Sequence, residues 1–292
     1  MGNLSRFLRL LPALALTIPL LSPGQLSAAV SSDVRPRVLF LHHSVGANLI
    51  DQGNVRALFA AEGYDFWDHG YNVEGLRDPK GDRVEPGFDI LNDNTDPDGF
   101  AAIFAQPVHN PPDNTLSYAL AYDVIVFKSC FPNSDIAGDE QLSKFKAIYL
   151  GIRSTMDRYP DRLFVVITSP PLSPAATRPE NAARARVLAN WLRSDEYLRG
   201  HPNVVTFDLF DALADGSNTL RAEYLEPAYP IDFTSLGKVP SSALNVFRTV
   251  RAMVFGRPTY SADSHPNLTA NRKVGPLFVQ SIVQAHRQFA TR

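Results

Sequence analysis

Five short apolar runs, each followed by a segment of helical periodicity, constrain the fold of this chain more than any other feature. Val38–Leu41, Tyr64–Asp68, Tyr122–Phe127, Leu163–Ile167 and Val204–Phe207 read as strands. Helical patterns follow at about 46–62, 139–159, 179–199 and 269–289, with a shorter piece near 99–105. Strands alternating with helices at this spacing give a parallel sheet with helices on both faces. In such a sheet ligands bind at the carboxyl ends of the strands, so those ends are where chemistry is sought.

The first of them carries His42-His43-Ser44-Val45-Gly46. A serine on this turn sits beside backbone N–H groups at a helix start, which favour a developing negative charge. The second strand ends in Asp68-His69-Gly70-Tyr71-Asn72, and the third in Lys128-Ser-Cys-Phe-Pro-Asn133. The last helix is preceded by Asp263-Ser264-His265-Pro266-Asn267. Serine attack on an ester needs a base, an acid to orient that base, and donors for the oxyanion. His265 and Asp263 suit the first two roles; the Ser44 and Gly70 N–H groups and the Asn133 amide suit the third.

That order of segments resembles the SGNH (GDSL-type) hydrolase family. The resemblance implies a flavodoxin-like three-layer α/β/α fold with a central parallel five-stranded sheet. It implies Ser44 as nucleophile, Asp263 and His265 as its partners, and Ser44, Gly70 and Asn133 as the oxyanion hole. It covers the mature chain in layout. Asp263 to Asn267 and Thr168-Ser169-Pro170-Pro171 are most like the family. His43 stands where the family has aspartate, and Gly75 competes with Gly70. The third block lacks Gly-x-Asn-Asp, so Asn133 is placed by position. The Asp-x-His spacing resembles the related polysaccharide O-acetyltransferases, which keeps acyl transfer open beside hydrolysis. A glycan-binding protein on the same scaffold is a third reading.

The long stretch 73–115, rich in Gly, Pro, Asp and Asn, reads as an insertion over the binding edge. Its polar character favours a small-molecule or carbohydrate ester, with His43, His69 and Asn72 as substrate-binding residues; His42 is another candidate for the pocket wall. Clustered histidines and carboxylates also suit a metal, but no local ligand spacing of a zinc motif is present. The reading therefore expects no metal and no cofactor.

Residues 1–29 combine Arg6 and Arg9, an apolar run from Leu10 to Leu21 and a small-residue cleavage site at Ser27-Ala28-Ala29. This predicts a secretory signal peptide, and so an exported domain over 30–292 without stable membrane insertion. Segment 215–260 reads as irregular, with one helix near 241–255. A net charge of −2 gives no basic footprint for nucleic acid. The single cysteine, Cys130, allows no internal disulfide. The oligomeric state is left open.

Overall fold

The computed structural model describes residues 34–226 and 263–292. Backbone contacts divide the chain into Met1–Val34 and Arg35–Arg292, and every described strand and helix belongs to the second unit. The expected signal peptide and the helix near 241–255 lie outside the described residues.

Five parallel strands form the body of the sheet: β1 (Arg37–Leu41), β2 (Asp65–His69), β4 (Val124–Lys128), β5 (Leu163–Ile167) and β6 (Val204–Phe207). A sixth, the two-residue β3 (Leu76–Arg77), pairs antiparallel with the edge of β2. The spatial order is β3-β2-β1-β4-β5-β6. Without β3, the parallel strands stand in the doubly wound order 2-1-3-4-5, which reverses between β1 and β4. Loops leaving β1 and β4 therefore diverge to opposite faces, opening a crevice at their carboxyl ends.

Every residue of β4 and β5 is buried, as expected for strands covered on both faces. Period-two alternation divides the core. Leu39, Leu41, Ile125, Phe127 and Val166 point to one side, with α3 (Pro97–Phe104), α5 (Asp139–Met156) and α6 (Pro179–Leu192). Val38, Phe40, Val124, Val126 and Val165 point to the other, with α1 (Ser44–Gln52), α2 (Val55–Ala61) and α9 (Leu268–Ala290). The result is a three-layer α/β/α fold. Short helices α4 (Thr115–Ala119), α7 (Asp195–Leu198) and α8 (Leu209–Leu213) complete the described α-helices.

Two helical stretches are divided where the sequence pattern runs on. The first breaks at Gly53-Asn54, where Asn54 takes a left-handed φ of 57°. The second breaks at Arg193-Ser194, separating α6 from α7.

The glycine at position 53 has a packing reason. A Cβ on Gly53 would lie 2.8 Å from the Asn271 carbonyl, and one on Gly275 would lie 2.3 Å from the Gly53 carbonyl. Here α1 and α9 touch backbone to backbone, which only glycine allows. The Asn271 amide donates to Gln52 Oε1 at 2.8 Å and to the Pro266 carbonyl at 3.0 Å. The end of α1 is thus fastened to the start of α9.

Candidate active site

Ser44 opens α1 directly after β1. His43, with extended backbone, is the helix N-cap and makes no side-chain cap bond; Ser44 is the first helical residue and is half-buried. Its N–H belongs to the first turn, where helix geometry supplies no partner. His265 arrives from the far end of the chain, two residues before Asn267 caps α9 through the Ala270 N–H at 3.1 Å.

The fastening of α1 to α9 brings the two together. Ser44 Oγ lies 2.7 Å from His265 Nε2, and His265 Nδ1 lies 2.6 Å from Asp263 Oδ1. A carboxylate only accepts, so Nδ1 carries the proton and Nε2 accepts from the serine hydroxyl. The His265 backbone N–H also donates to Asp263 Oδ1, at 3.0 Å. Burial alone would raise the Asp263 carboxyl, but the hydrogen bonds and charge of His265 hold it below the ordinary carboxylate range. The edge of Phe131 meets the His265 ring at 5.0 Å and 80°.

Ser264, between the acid and the base, is buried, and its Oγ accepts from the Ser173 N–H at 2.9 Å. It ties the Asp-Ser-His segment to the loop after β5. The sequence reading assigns it nothing; the x of Asp-x-His gives no hint of which way that side chain turns.

Gly70 follows the end of β2, and among the described residues its N–H meets no acceptor. Gly75, its competitor, lies at the start of β3 with φ 70° and packs on Arg83, where it serves the turn into the edge strand. Asn133 sits on the 3-10 turn Phe131–Ser134 after β4. Its amide is already engaged: Nδ2 donates to Asp96 Oδ1 at 2.7 Å and to the Cys130 carbonyl at 3.3 Å. The expected third oxyanion donor therefore has both hydrogens committed elsewhere in this structure.

The three expected substrate-binding residues fare differently. His43 is at the site, stacked on Tyr71 at 4.1 Å between centroids, with Nε2 3.6 Å from Asp93 Oδ1. Burial lowers its pKa; Asp93 opposes that, while Lys128 and His42 add to it. His69 is fully buried, with ring nitrogens against the carbonyls of Gly70 and Phe88, so it has no surface to offer a substrate. Asn72 is occupied with the insertion: its amide donates to the Ile90 carbonyl at 2.9 Å and accepts from the Ile90 N–H at 2.8 Å. That clasp, with Asp93 beside His43 and Asp96 on Asn133, brings the insertion to the ends of β1, β2 and β4.

Beneath the site lies a polar group that the sequence does not reveal as such. His42 is 1% exposed; its Nε2 is 3.0 Å from Asp68 Oδ2, and Asp68 also pairs with Arg56. Burial would raise the Asp68 carboxyl, but His42 and Arg56 hold it low. Lys128, at the end of β4, is wholly buried; burial pushes its amine down, and Nζ donates to the Ser129 carbonyl at 3.1 Å. Among the described residues no group of three or more His, Cys, Asp or Glu is placed to hold a metal. Nor is any described helix long and apolar enough to cross a membrane.

No protein-family model and no curated protein matches the chain. Solved structures do. A protein described as an acylhydrolase from Bacteroides fragilis is 13% identical with TM-score 0.47, covering 90% of this chain and 97% of that one. A gut microbial diltiazem-metabolizing enzyme is 9% identical with TM-score 0.46, covering 85% of this chain and 46% of the other, so this chain spans less than half of it. A salicylyl-acyltransferase from a tetracycline biosynthetic pathway is 14% identical with TM-score 0.35, covering 88% and 55%.

Proposed function

We propose that this chain is a serine hydrolase of carboxylic esters. The observation that carries the reading is the hydrogen-bonded line from Ser44 Oγ through the His265 imidazole to Asp263. Ser44 Oγ attacks the ester carbonyl carbon while its proton passes to His265 Nε2. Asp263 holds the ring in the accepting tautomer and stabilises the imidazolium that forms. The Ser44 and Gly70 N–H groups receive the oxyanion.

Collapse of the tetrahedral intermediate breaks the carbon–oxygen bond to the alcohol, which takes the proton from His265. Water then gives a proton to Nε2, attacks the acyl-serine and releases the acid, and the proton returns to Ser44. No cofactor enters either half.

The alcohol side of the substrate is polar in this reading, an O-acyl or O-acetyl carbohydrate. Support comes from the rim, where His43 stacks on Tyr71 beside the half-buried Asp93 carboxylate and the exposed Asp96. The same acyl-serine serves a transferase if a sugar hydroxyl replaces water. Export of the mature domain belongs to the same proposal and rests on residues 1–29 alone.

The test is p-nitrophenol release from p-nitrophenyl acetate by the purified chain, beside Ser44→Ala and His265→Ala. Turnover by the wild type, with both variants down about a thousandfold or more, is the behaviour of a coupled unit. Equal rates for all three proteins would remove Ser44 as nucleophile.

A further inference from the structure

His42 is a buried imidazole that the proposed reaction does not use, and its contacts converge on both backbone donors of the oxyanion site. Its Nδ1 lies 2.9 Å from the His43 carbonyl oxygen and its Nε2 3.0 Å from Asp68 Oδ2. The His43 carbonyl and the Ser44 N–H belong to one peptide group. That group is planar and trans, so its oxygen and hydrogen point in opposite directions. Whatever holds the oxygen inward aims the hydrogen outward.

Both partners of the His42 ring only accept, so the ring donates to both with a hydrogen on each nitrogen, as the imidazolium partner of Asp68. Three donors then meet the His43 oxygen, with the Gly46 N–H at 2.8 Å and the Ala47 N–H at 3.1 Å. The two helical bonds alone leave the first peptide of α1 free to tilt, as helix ends do. The ring adds a third restraint from below. Withdrawing electron density from the carbonyl also makes the Ser44 N–H a better donor, the cooperative effect of hydrogen bonds in series.

The same ring lies under the second donor. Its Cε1 would be 3.6 Å from a Cβ on Gly70, ordinary contact distance. Its Nε2 partner, Asp68, belongs to β2, the strand that delivers Gly70. Asp68 is in turn held by Arg56 of α2, whose guanidinium also donates to the Asp78 carbonyl at 2.7 Å. The ring therefore links the peptide before Ser44 to the strand before Gly70.

We infer that His42, anchored by Asp68 and Arg56, is a positioning residue that fixes the Ser44 and Gly70 N–H groups as a pair of oxyanion donors. The inference rests on the serine-hydrolase reading. It assigns His42 no contact with substrate, so its effect falls on kcat and leaves KM alone.

Two replacements separate the ring's contacts. In His42→Asn the amide nitrogen falls near the place of Nδ1, keeping the bond to the His43 carbonyl and losing Asp68. In His42→Gln the longer amide reaches Asp68 and loses the carbonyl. Both remove the same ring packing, and thermal unfolding reports whether each is folded.

Complete loss of an oxyanion donor costs about 10²- to 10³-fold in kcat. A donor present but misaimed costs less, roughly 10- to 30-fold. On p-nitrophenyl acetate, His42→Gln is expected to lose that much kcat at a KM within about twofold of wild type. His42→Asn is expected within about threefold of wild type in both. Equal losses in the two variants, or a loss carried by KM, overturn the inference.

Should either variant fail to fold, Asp68→Asn keeps the shape and loosens only the anchor. A roughly three- to tenfold fall in its kcat supports the inference, and an unchanged kcat overturns it. Ser44→Ala is run alongside. If it turns over like wild type, or if wild type is inert, the functional reading falls and takes this inference with it. If it is dead while the His42 pair is indistinguishable, only the positioning role falls.

Discussion

Gly46→Ala tests whether the nucleophile's place is set by close packing beneath α1. A Cβ at position 46 would lie 2.4 Å from His42 Cβ, 2.5 Å from Cγ and 2.8 Å from Nδ1. Carbon atoms settle at about 3.5–4.0 Å, so the first turn of α1 has to rise by about 1 Å. His42 cannot turn aside, because the nearest atom is its own Cβ, fixed to the backbone beside β1. Helix propensity favours alanine by about 1 kcal/mol, while overpacking in a buried site costs about 1–3 kcal/mol. The net change in stability is therefore small, about 0–2 kcal/mol of loss. Activity suffers more, since Ser44 rides on the turn that moves. A misplacement of about 1 Å at a reacting group can cost about 10²-fold in rate. Urea unfolding and p-nitrophenyl acetate turnover on the same preparation measure both quantities. A Gly46→Ala protein as stable as wild type and within about threefold of its kcat would show that α1 yields without carrying Ser44, and would refute the reasoning.

Three further outcomes are expected from the same geometry. Asn133→Ala and Asp96→Ala should lower kcat by similar factors, because each breaks the 2.7 Å bond between them; a loss at least tenfold greater for Asn133→Ala would return that amide to the oxyanion. Gly275→Ala should destabilise the chain by about 1–3 kcal/mol in chemical denaturation, since its Cβ would meet the Gly53 backbone at 2.3–2.8 Å. It should also cut activity at least tenfold by displacing the helix that His265 precedes; wild-type activity would exclude the coupling. Asp68, whose folded pKa is held below its unfolded value by His42 and Arg56, stabilises the fold above the unfolded value of about 3.9 and loses that effect as pH falls through the folded one. The gap in melting temperature between wild type and Asp68→Asn should be constant above about pH 5 and close in stronger acid; a gap that widens there would reverse the sign.

Much of this was legible because strand ends in a doubly wound sheet are predictable. β5 and β6 fall where the apolar runs place them, and Ser44, Asp263 and His265 stand together as their order along the chain implies. What was not legible depends on which partner a side chain finds. Asn133 occupies the expected loop, yet its hydrogens go to Asp96, 37 residues earlier in the insertion. His69 and Asn72 sit at a strand end, but one is sealed under the Phe88 carbonyl and the other clasps Ile90. The pairing of His42 with Asp68 joins two strands across 26 residues, and no local pattern marks it. β3 is too short to carry a period, and the backbone that Gly53 approaches belongs to a glycine 222 positions later in α9.

The contact of Gly53 with Gly275 also has a consequence in time. The serine and its base are 221 residues apart, and synthesis runs from the serine toward the base. A domain folds as a unit, so the serine's segment is made long before the one that carries its proton acceptor and has to wait for it. Until the C-terminal helix docks at those two glycines, Ser44 remains an ordinary alcohol. The reactivity proposed for this chain therefore waits on the docking of α9, the key that arms it.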